Sequence, residues 1–159
     1  MRFAHAAVAP TRDRPRLPKG YITRDPRGML AWSDVESILR GGRFFWISTT
    51  DADGRPHLVQ QWGAWVDEHL YFEGSERTRW AQNLARDPRV AFGTQTGSRA
   101  AFGQGTVDVV RGVDPDLSKR IASQYARKYG ERSTIGPSRI NTRRDTYSAQ
   151  LHRRSSSSM

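Results

Sequence analysis

The segment between Gly74 and Arg79 carries the side chains best suited to chemistry in this 159-residue chain. A strand is predicted to end at Glu73, Gly74 and Ser75 form a small-residue step, and a helix is predicted to carry Thr78 and Arg79 in its first turns. Free backbone N–H groups, the positive end of the helix dipole, hydroxyls and a guanidinium would converge there, which is how proteins hold a phosphate monoester. The alternative is an ordinary capped surface helix with solvated arginines, and the residues alone leave both open.

Other catalytic and metal-binding arrangements are disfavoured. The four histidines are His5, His57, His69 and His152. No two of them have the i, i+3 or i, i+4 spacing of a helical metal site. The chain has no cysteine, which excludes a thiolate nucleophile, a thiolate metal site and a disulfide. No serine occupies a G-x-S-x-G elbow, and the paired acids at 51–53 and 67–68 fall at predicted turns. Redox chemistry would need a bound cofactor, and we predict no metal site and assign no catalytic residue.

The net charge raises a second hypothesis, nucleic-acid binding. The formal charge of +10 comes from the ends: residues 1–20 hold five basic residues against one acid, residues 111–159 hold eleven against four, and residues 21–110 hold ten against eleven. Basic ends could hold a phosphate backbone, but the centre does not cluster arginine with stacking aromatics, so this hypothesis ranks last. No apolar run approaches the roughly 20 residues of a membrane span, and we predict a cytoplasmic protein with no membrane partner.

Hydrophobic patterns predict a mainly β (α+β) domain. Strands are predicted where β-branched and aromatic residues dominate, at 43–50, 55–66, 69–73, 89–95 and 100–110. Helices are predicted at 33–40, 77–86 and 114–130. The first has a capping-box spacing at Ser33 and Glu36, and the last has Asp114 as N-cap and Pro115 at its first position. Short links between these elements fit a small antiparallel barrel with peripheral helices.

The chain is expected to hold one domain, at residues 21–130. Residues 1–20 are rich in arginine, proline and alanine, and predict a flexible basic segment. Residues 131–159 are polar and rich in arginine and serine, and predict a disordered tail.

The central sequence resembles one known family. The stretch FFWISTTDADGRPHLVQQWGAWVDEHLYFEGSERTRWAQNLARDPRVAF contains a GRPH turn, a W-G-A-W strand, a Y-F-x-x-S step and an N-L-x-x-D-P-R-V segment. In this order, these motifs are similar to the flavin-binding region of the pyridoxamine 5′-phosphate oxidase-like split-barrel superfamily. The resemblance implies a small antiparallel split β-barrel that binds flavin mononucleotide (FMN) or the deazaflavin coenzyme F-420 between the subunits of a homodimer. The cofactor would exchange a hydride with a small-molecule substrate.

The resemblance also assigns roles by position. Four residues match the strand whose backbone and side chains line the isoalloxazine ring: Val59, Gln60, Gln61 and Trp62. The end of the next strand matches at Glu73, Gly74 and Ser75, and the phosphate clamp matches at Thr78 and Arg79.

Two positions depart from the oxidase itself. Trp80 stands where the oxidase has a basic residue after the clamp, and Val59 stands where it has arginine. The loss of these charges argues against oxidation of pyridoxamine phosphate and favours the divergent relatives that use F-420, FMN or occasionally haem-derived substrates. The first hypothesis is therefore an FMN- or F-420-dependent oxidoreductase. A further departure is at the end of the chain: relatives close the barrel with a last apolar strand, which is predicted to be missing from the polar segment 131–159, and a missing strand would leave a sheet edge exposed. The alternative is a non-catalytic cofactor-binding module with a degraded site.

Overall fold

A computed structural model of the chain describes residues 31–110, 114–130 and 146–153. Within them lie the helices α1 (Trp32–Gly41), α2 (Arg79–Arg86) and α3 (Pro115–Tyr129). The strands are β1 (Phe45–Thr50), β2 (Pro56–Gln61), β3 (Ala64–Val66), β4 (His69–Ser75), β5 (Arg89–Thr96), β6 (Arg99–Val110) and β7 (Thr146–Arg153). These strands form one antiparallel sheet with the order β2-β1-β5-β6-β7-β4-β3. The predicted α+β class is confirmed.

The main core lies on one face of the curved sheet. Alternation along β1 shows the two faces, because Phe45, Ile47 and Thr49 are buried while Trp46 is exposed. The largest fully buried hydrophobic side chains are Trp65, Phe45, Phe72, Ile47 and Leu70. The core therefore joins β1 to β3 and β4, on either side of the opening in the sheet.

The sheet is open between β2 and β3, its two edge strands, although these follow one another in the chain. The prediction of a single strand over 55–66 is wrong, because the ladder is interrupted at Trp62 and Gly63, which we call the break. The backbone passes close to the core at this point. A Cβ on Gly63 would lie 2.9 Å from Leu70 Cδ1 and 3.0 Å from Phe45 Cδ2. The break thus separates β2 from β3, and we call the opening between these two edge strands the split.

The expectation of a missing last strand is wrong. β7 lies within the region predicted as a disordered tail, and it makes six residue pairs with β4 and six with β6. Its sequence alternates apolar residues, at Tyr147, Ala149 and Leu151, with polar ones, which is the two-residue period of a strand. Hydrogen bonding to a strand on each side therefore makes this segment a strand despite its polar composition. The predicted flexible segment 1–20 and the remainder of 131–159 lie outside the described residues.

The ends of α3 and α2 follow from local chemistry. The predicted cap of α3 is confirmed, because Asp114 Oδ2 accepts a hydrogen bond from the Leu117 N–H at 3.0 Å. α2 begins at Arg79, two residues later than predicted. The preceding residues form a hydrogen-bonded turn that ends at Thr78, so they are not available to the helix.

The start of α1 differs from the prediction. The helix begins one residue earlier, with Ala31 at the N-cap position. Asp34 reaches back and accepts a hydrogen bond from the Ala31 N–H at 3.2 Å. The predicted capping box of Ser33 and Glu36 is therefore wrong, because both residues lie inside the helix.

α3 packs across β3 and β4 through a second, smaller core. Ile121 and Tyr125 of the helix are buried against Ala64, Val66 and Tyr71. This packing sets α3 beside the break and over the edge of the sheet.

Candidate functional site

The turn between β4 and α2 is held by hydrogen bonds of its own. Both the N–H and the hydroxyl of Thr78 donate to the Ser75 carbonyl, at 3.0 and 2.7 Å. The Arg77 N–H donates to Ser75 Oγ at 3.2 Å. The turn therefore fixes where α2 begins and brings Ser75, Thr78 and Arg79 into one short segment.

The N-terminus of α2 has the features of an anion site. Thr78 occupies the N-cap position, but its side chain does not cap the helix, and the first turn holds no acid. Arg79 is exposed. The pKa of Asp51 is lowered, chiefly by a hydrogen bond from the Arg55 N–H and to a smaller extent by the charge of Arg79. Arg79 thus lies near the β1–β2 turn, beside the positive end of the helix.

Trp80 belongs to the core and not to this turn. It is 3% exposed, and its ring lies 5.4 Å from the Phe72 ring, centroid to centroid. The indole also fills the space over Gly74, where a Cβ would lie 2.6 Å from Trp80 Cζ2. The absence of a side chain at Gly74 therefore makes room for the Trp80 indole. Because Trp80 is buried in the core, it takes no part in an anion site at this turn.

The residues matched to the ring-lining strand lie on β2 and at its end. Val59 packs against the main core, Gln60 is exposed, and Gln61 is half-buried. Among the described strands β2 pairs only with β1. Its other edge therefore offers backbone N–H and C=O groups to a molecule lying in the split.

Side chains of α3 supply hydrogen bonds to the break. The Gly63 N–H donates to the Tyr129 hydroxyl at 2.9 Å, and Lys128 Nζ donates to the Gly63 carbonyl at 3.0 Å. The Tyr125 hydroxyl donates to the Trp62 carbonyl at 3.2 Å. The Trp62 ring stacks on Tyr129, with centroids 4.4 Å apart and planes 6° from parallel. One face of Trp62 is thus covered, and the residue remains 38% exposed.

Gln124 holds the adjoining strand β3 in the same way. Its side-chain amide donates to the Trp65 carbonyl and accepts from the Trp65 N–H at 3.0 Å. Both residues are buried. A neighbouring strand would make the same pair of bonds, so one side chain of α3 occupies the edge of β3.

Glu73 lies on β4 beside the break. The pairing of β3 with β4 begins at Ala64 and Tyr71, and β4 continues beyond that point through Glu73. Strand alternation puts Glu73 on the same face as Tyr71, which packs against α3. The pKa of Tyr125 is raised, first by burial and second by the charge of Glu73, so the carboxyl lies close to this tyrosine.

Two titratable groups around the break, Glu73 and Lys128, have pKa values shifted toward 7. Burial raises the pKa of Glu73 to about 7. Burial also lowers the pKa of Lys128 to about 8, with a smaller contribution from Arg127. Glu73 makes no hydrogen bond or ion pair with any other described residue. Desolvated groups of this kind concentrate at functional sites, although structural networks also produce them.

The contribution of α3 to this site was missed by sequence analysis. The residues Leu117, Ile121, Tyr125 and Tyr129 recur every four positions and indicate an apolar stripe. The available signal was chemical, because a buried tyrosine hydroxyl needs a hydrogen-bond partner. Two tyrosines in one stripe therefore indicate polar contacts under the helix, but not which backbone groups they reach.

Neither a cluster of metal ligands nor a membrane-spanning helix is found in the described part of the chain. Residues 31–110, 114–130 and 146–153 contain no group of three or more histidine, aspartate or glutamate side chains that could hold a metal ion. None of the helices in these ranges is long and apolar enough to cross a membrane.

Three solved structures share the fold of this chain. They are a conserved hypothetical protein from Mycobacterium tuberculosis (20% identity, TM-score 0.66, covering 84% of this chain and 87% of that one), the heme storage protein HutZ from Vibrio cholerae (17%, 0.60, 80% and 92%) and an F420 reductase (22%, 0.58, 76% and 93%). At these identities the structures establish the fold alone. No curated protein matches the sequence.

The family comparison is more specific. The family model described as pyridoxamine 5′-phosphate oxidase matches residues 32–152. This range runs from α1 to β7, so it includes the turn between β4 and α2, the split and the strand that completes the sheet. The chain belongs to the pyridoxamine 5′-phosphate oxidase family.

Proposed function

We propose that this protein binds FMN or coenzyme F-420 and exchanges a hydride between the cofactor and a small organic substrate. The observation that carries the proposal is the α2 N-terminus, which lacks a side-chain cap and presents Arg79 near the β1–β2 turn. The cofactor's phosphate would bind there, and its ring would lie along the open edge of β2. The cytoplasmic location expected from the sequence is part of this proposal.

The turn between β4 and α2, at Ser75–Arg79, fits an anion for three physical reasons, and we call it the phosphate turn. The first N–H groups of a helix have no intrahelical acceptor, and α2 provides neither a side-chain cap nor an acid in its first turn. Arg79 adds a charged donor, which forms stronger hydrogen bonds to phosphate than a neutral one. The hydroxyl of Ser75 lies in the same turn. These groups form a weaker clamp than one that also had a basic residue at position 80, because Trp80 is buried.

The break and the edge of β2 fit a planar ring. The backbone groups on the edge of β2 that pairs with no other described strand match the polar edge of a flavin or deazaflavin, and Trp62 offers an exposed aromatic surface. Once bound, the cofactor supplies the hydride chemistry, and the residues of the chain bind it, orient it and exclude water. Val59 is uncharged and packs into the core. The proposal therefore does not extend to pyridoxamine phosphate as the substrate.

Replacing Arg79 with alanine is expected to weaken FMN and F-420 binding. Loss of one charged hydrogen bond to phosphate should cost about 1–3 kcal/mol, which is roughly a 5- to 150-fold increase in Kd. Fluorescence titration of the purified protein with each cofactor measures this. The matched control is Arg40→Ala, which removes an exposed arginine that pairs with Glu36 on α1. If neither cofactor binds the unmodified protein at micromolar concentration, the proposed function is wrong.

We also infer that the protein is a homodimer, as its family relatives often are. The outward face of β1, β2, β5 and β6 carries an exposed apolar surface consisting of Trp46, Leu58 and Phe102, with 49%, 60% and 83% exposure. Trp46 and Phe102 stand on either side of Gly93 in the ladder, and the Phe102 ring lies over this glycine. Three large exposed apolar side chains on one sheet face favour a second copy of the chain as the occupant.

Replacing Phe102 with aspartate is expected to convert the dimer to a monomer. The change removes the most exposed apolar side chain of the surface and adds a charge that dimerisation would desolvate, so the dimer affinity should fall about 30-fold or more. Light scattering over a concentration series measures the mass. Gln82→Asp, an exposed change on α2, should leave the mass unchanged. A wild-type protein that is monomeric at every concentration would contradict the inference.

A second function is supported by one observation, the burial of Trp80. Because no basic residue follows Arg79 at the turn, the clamp has one charge fewer than that of the oxidase, which is the degraded cofactor site that this alternative requires. The protein would then be a non-catalytic binding module. Cofactor that binds with micromolar affinity but exchanges no hydride with any donor or acceptor would favour this alternative over the oxidoreductase.

A further inference from the structure

We propose that Glu73 is the acid–base residue of this site and exchanges a proton with the substrate while the cofactor exchanges a hydride. The inference rests on the proposed function. Reduction of a substrate C=O bond requires both species: the hydride leaves the reduced cofactor and forms the C–H bond, and the proton leaves the Glu73 carboxyl and forms the O–H bond. The cofactor is oxidised, the substrate is reduced, and the carboxylate recovers its proton from water.

Glu73 lies one short stretch of strand before the turn at which the cofactor's phosphate would bind. It precedes Gly74 and Ser75 on β4, and two residues of strand span about 7 Å. A cofactor with its phosphate at the α2 turn and its ring in the split would therefore bring the ring close to this carboxyl. Register supports the same placement, because β4 extends past the start of β3 and runs beside the break at Trp62 and Gly63.

The groups around Glu73 leave its carboxyl desolvated and available for proton transfer. Tyr71 shares its strand face, and Tyr125 of α3 lies close enough to respond to its charge. On the β7 side its ladder partner is Ser148. The nearby cation, Lys128, donates to the Gly63 carbonyl and so is committed to the backbone of the break. The carboxyl is thus desolvated by burial, without a hydrogen bond or ion pair to any described residue.

The other titratable groups around the break are engaged. The hydroxyls of Tyr125 and Tyr129 bond backbone groups at Trp62 and Gly63, and burial is the main cause that raises the pKa of each tyrosine. Burial raises the pKa of Glu73 to about 7. Both its protonated and its ionised forms are therefore populated near neutral pH, which is the condition under which a general acid or base is most effective.

The first measurement uses cofactor-free protein and asks whether the carboxyl is desolvated. A carboxyl with a raised pKa in the folded protein stabilises the fold fully below its unfolded pKa, and this contribution is lost as the pH rises through the folded value. Relative to Glu73→Gln, the folding equilibrium constant of the wild type should fall by up to about a hundredfold between pH 4.5 and 8. The control is Glu36→Gln, which changes a half-buried carboxyl on α1 that pairs with Arg40. A ratio that is constant with pH overturns the proposal.

The second measurement uses protein loaded with reduced FMN or F-420 and follows its oxidation by menadione, a small quinone. We expect the wild-type rate to fall as the pH rises through about 7, and Glu73→Gln to be about 100-fold slower and independent of pH over that range, with cofactor Kd changed less than about threefold. If Glu73→Gln keeps the wild-type rate and pH profile, the residue has only a structural role and the proposal is overturned. If neither cofactor binds, the proposed function fails as well, and the first measurement still reports the state of the carboxyl.

Discussion

Replacing Trp80 with lysine, which restores the basic residue of the oxidase at this position, is expected to unfold the protein and not to strengthen phosphate binding. Trp80 is 3% exposed and packs against Phe72 and over Gly74. Loss of a buried tryptophan costs about 3–5 kcal/mol, and a lysine in the same space adds the cost of desolvating an ammonium group. Typical domains have about 5–15 kcal/mol of stability, so the folded fraction should fall sharply. Urea unfolding followed by circular dichroism measures this.

The control for this variant is Trp80→Phe, which keeps an apolar ring in the same space. It should cost less than half as much stability as the lysine variant, because it retains most of the contact with Phe72. A lysine variant that is as stable as Trp80→Phe and binds FMN more tightly than the wild type would contradict the placement of this side chain. The lysine would then have reached the phosphate turn.

Replacing Gln124 with leucine is expected to produce the next largest loss of stability. The change preserves the approximate volume of the side chain but removes two hydrogen bonds from the buried backbone of Trp65. Each buried backbone group that loses its bond costs about 1–3 kcal/mol, so the free energy of unfolding should fall by about 2–4 kcal/mol. Urea unfolding measures the change, and hydrogen exchange at Trp65 should show its amide to be much less protected.

Gln82→Leu is the matched control, because it makes the same substitution on an exposed position of α2. Its stability should lie within about 0.5 kcal/mol of the wild type. Equal effects of the two substitutions would show that the Gln124 side chain contributes no more to stability than a solvated glutamine. In that case the edge of β3 would not depend on α3.

The elements with clear local patterns could be predicted from the sequence. The helix opened by Asp114 has a cap, a proline and an apolar stripe, and the strand at Arg89–Thr96 has strand-forming residues at alternate positions, Val90, Phe92 and Thr94. Each of these signals resides in adjacent residues. The structure confirms these elements because tertiary contacts reinforce the local preference instead of opposing it.

The break and β7 could not be predicted, because both depend on contacts between distant residues. The run around Trp62 and Gly63 has the composition of one continuous strand, and the interruption follows from the approach of Gly63 to Leu70 and Phe45. β7 has a short alternating pattern in a polar, arginine-rich setting. Its ladders with β4 and β6, both far away in the chain, supply the pairing that the local sequence does not indicate.

In the candidate site too, the features formed by adjacent residues could be predicted and those formed by distant residues could not. The turn at Ser75–Arg79 is local, and its position could be predicted from a strand end, small residues and a helix start, whereas its role in holding a phosphate stays a prediction. The groups that α3 brings to the break could not be predicted, because a stripe of tyrosines does not reveal which backbone atoms it will meet. Glu73 was matched to the site by resemblance, but its desolvation depends on Tyr125 and becomes visible only in the folded chain.

The hydrogen bonds that hold the break have a consequence for the order of folding. They join Gly63 to Tyr129 and Trp65 to Gln124, residues 66 and 59 positions apart, whereas the β1–β2, β3–β4 and β5–β6 hairpins close over a few residues. Long loops cost more closure entropy and form later than local hairpins. A chain emerging from the ribosome would therefore form its β4–α2 turn well before α3 docks, and the break would be among the last parts of the candidate site to assemble.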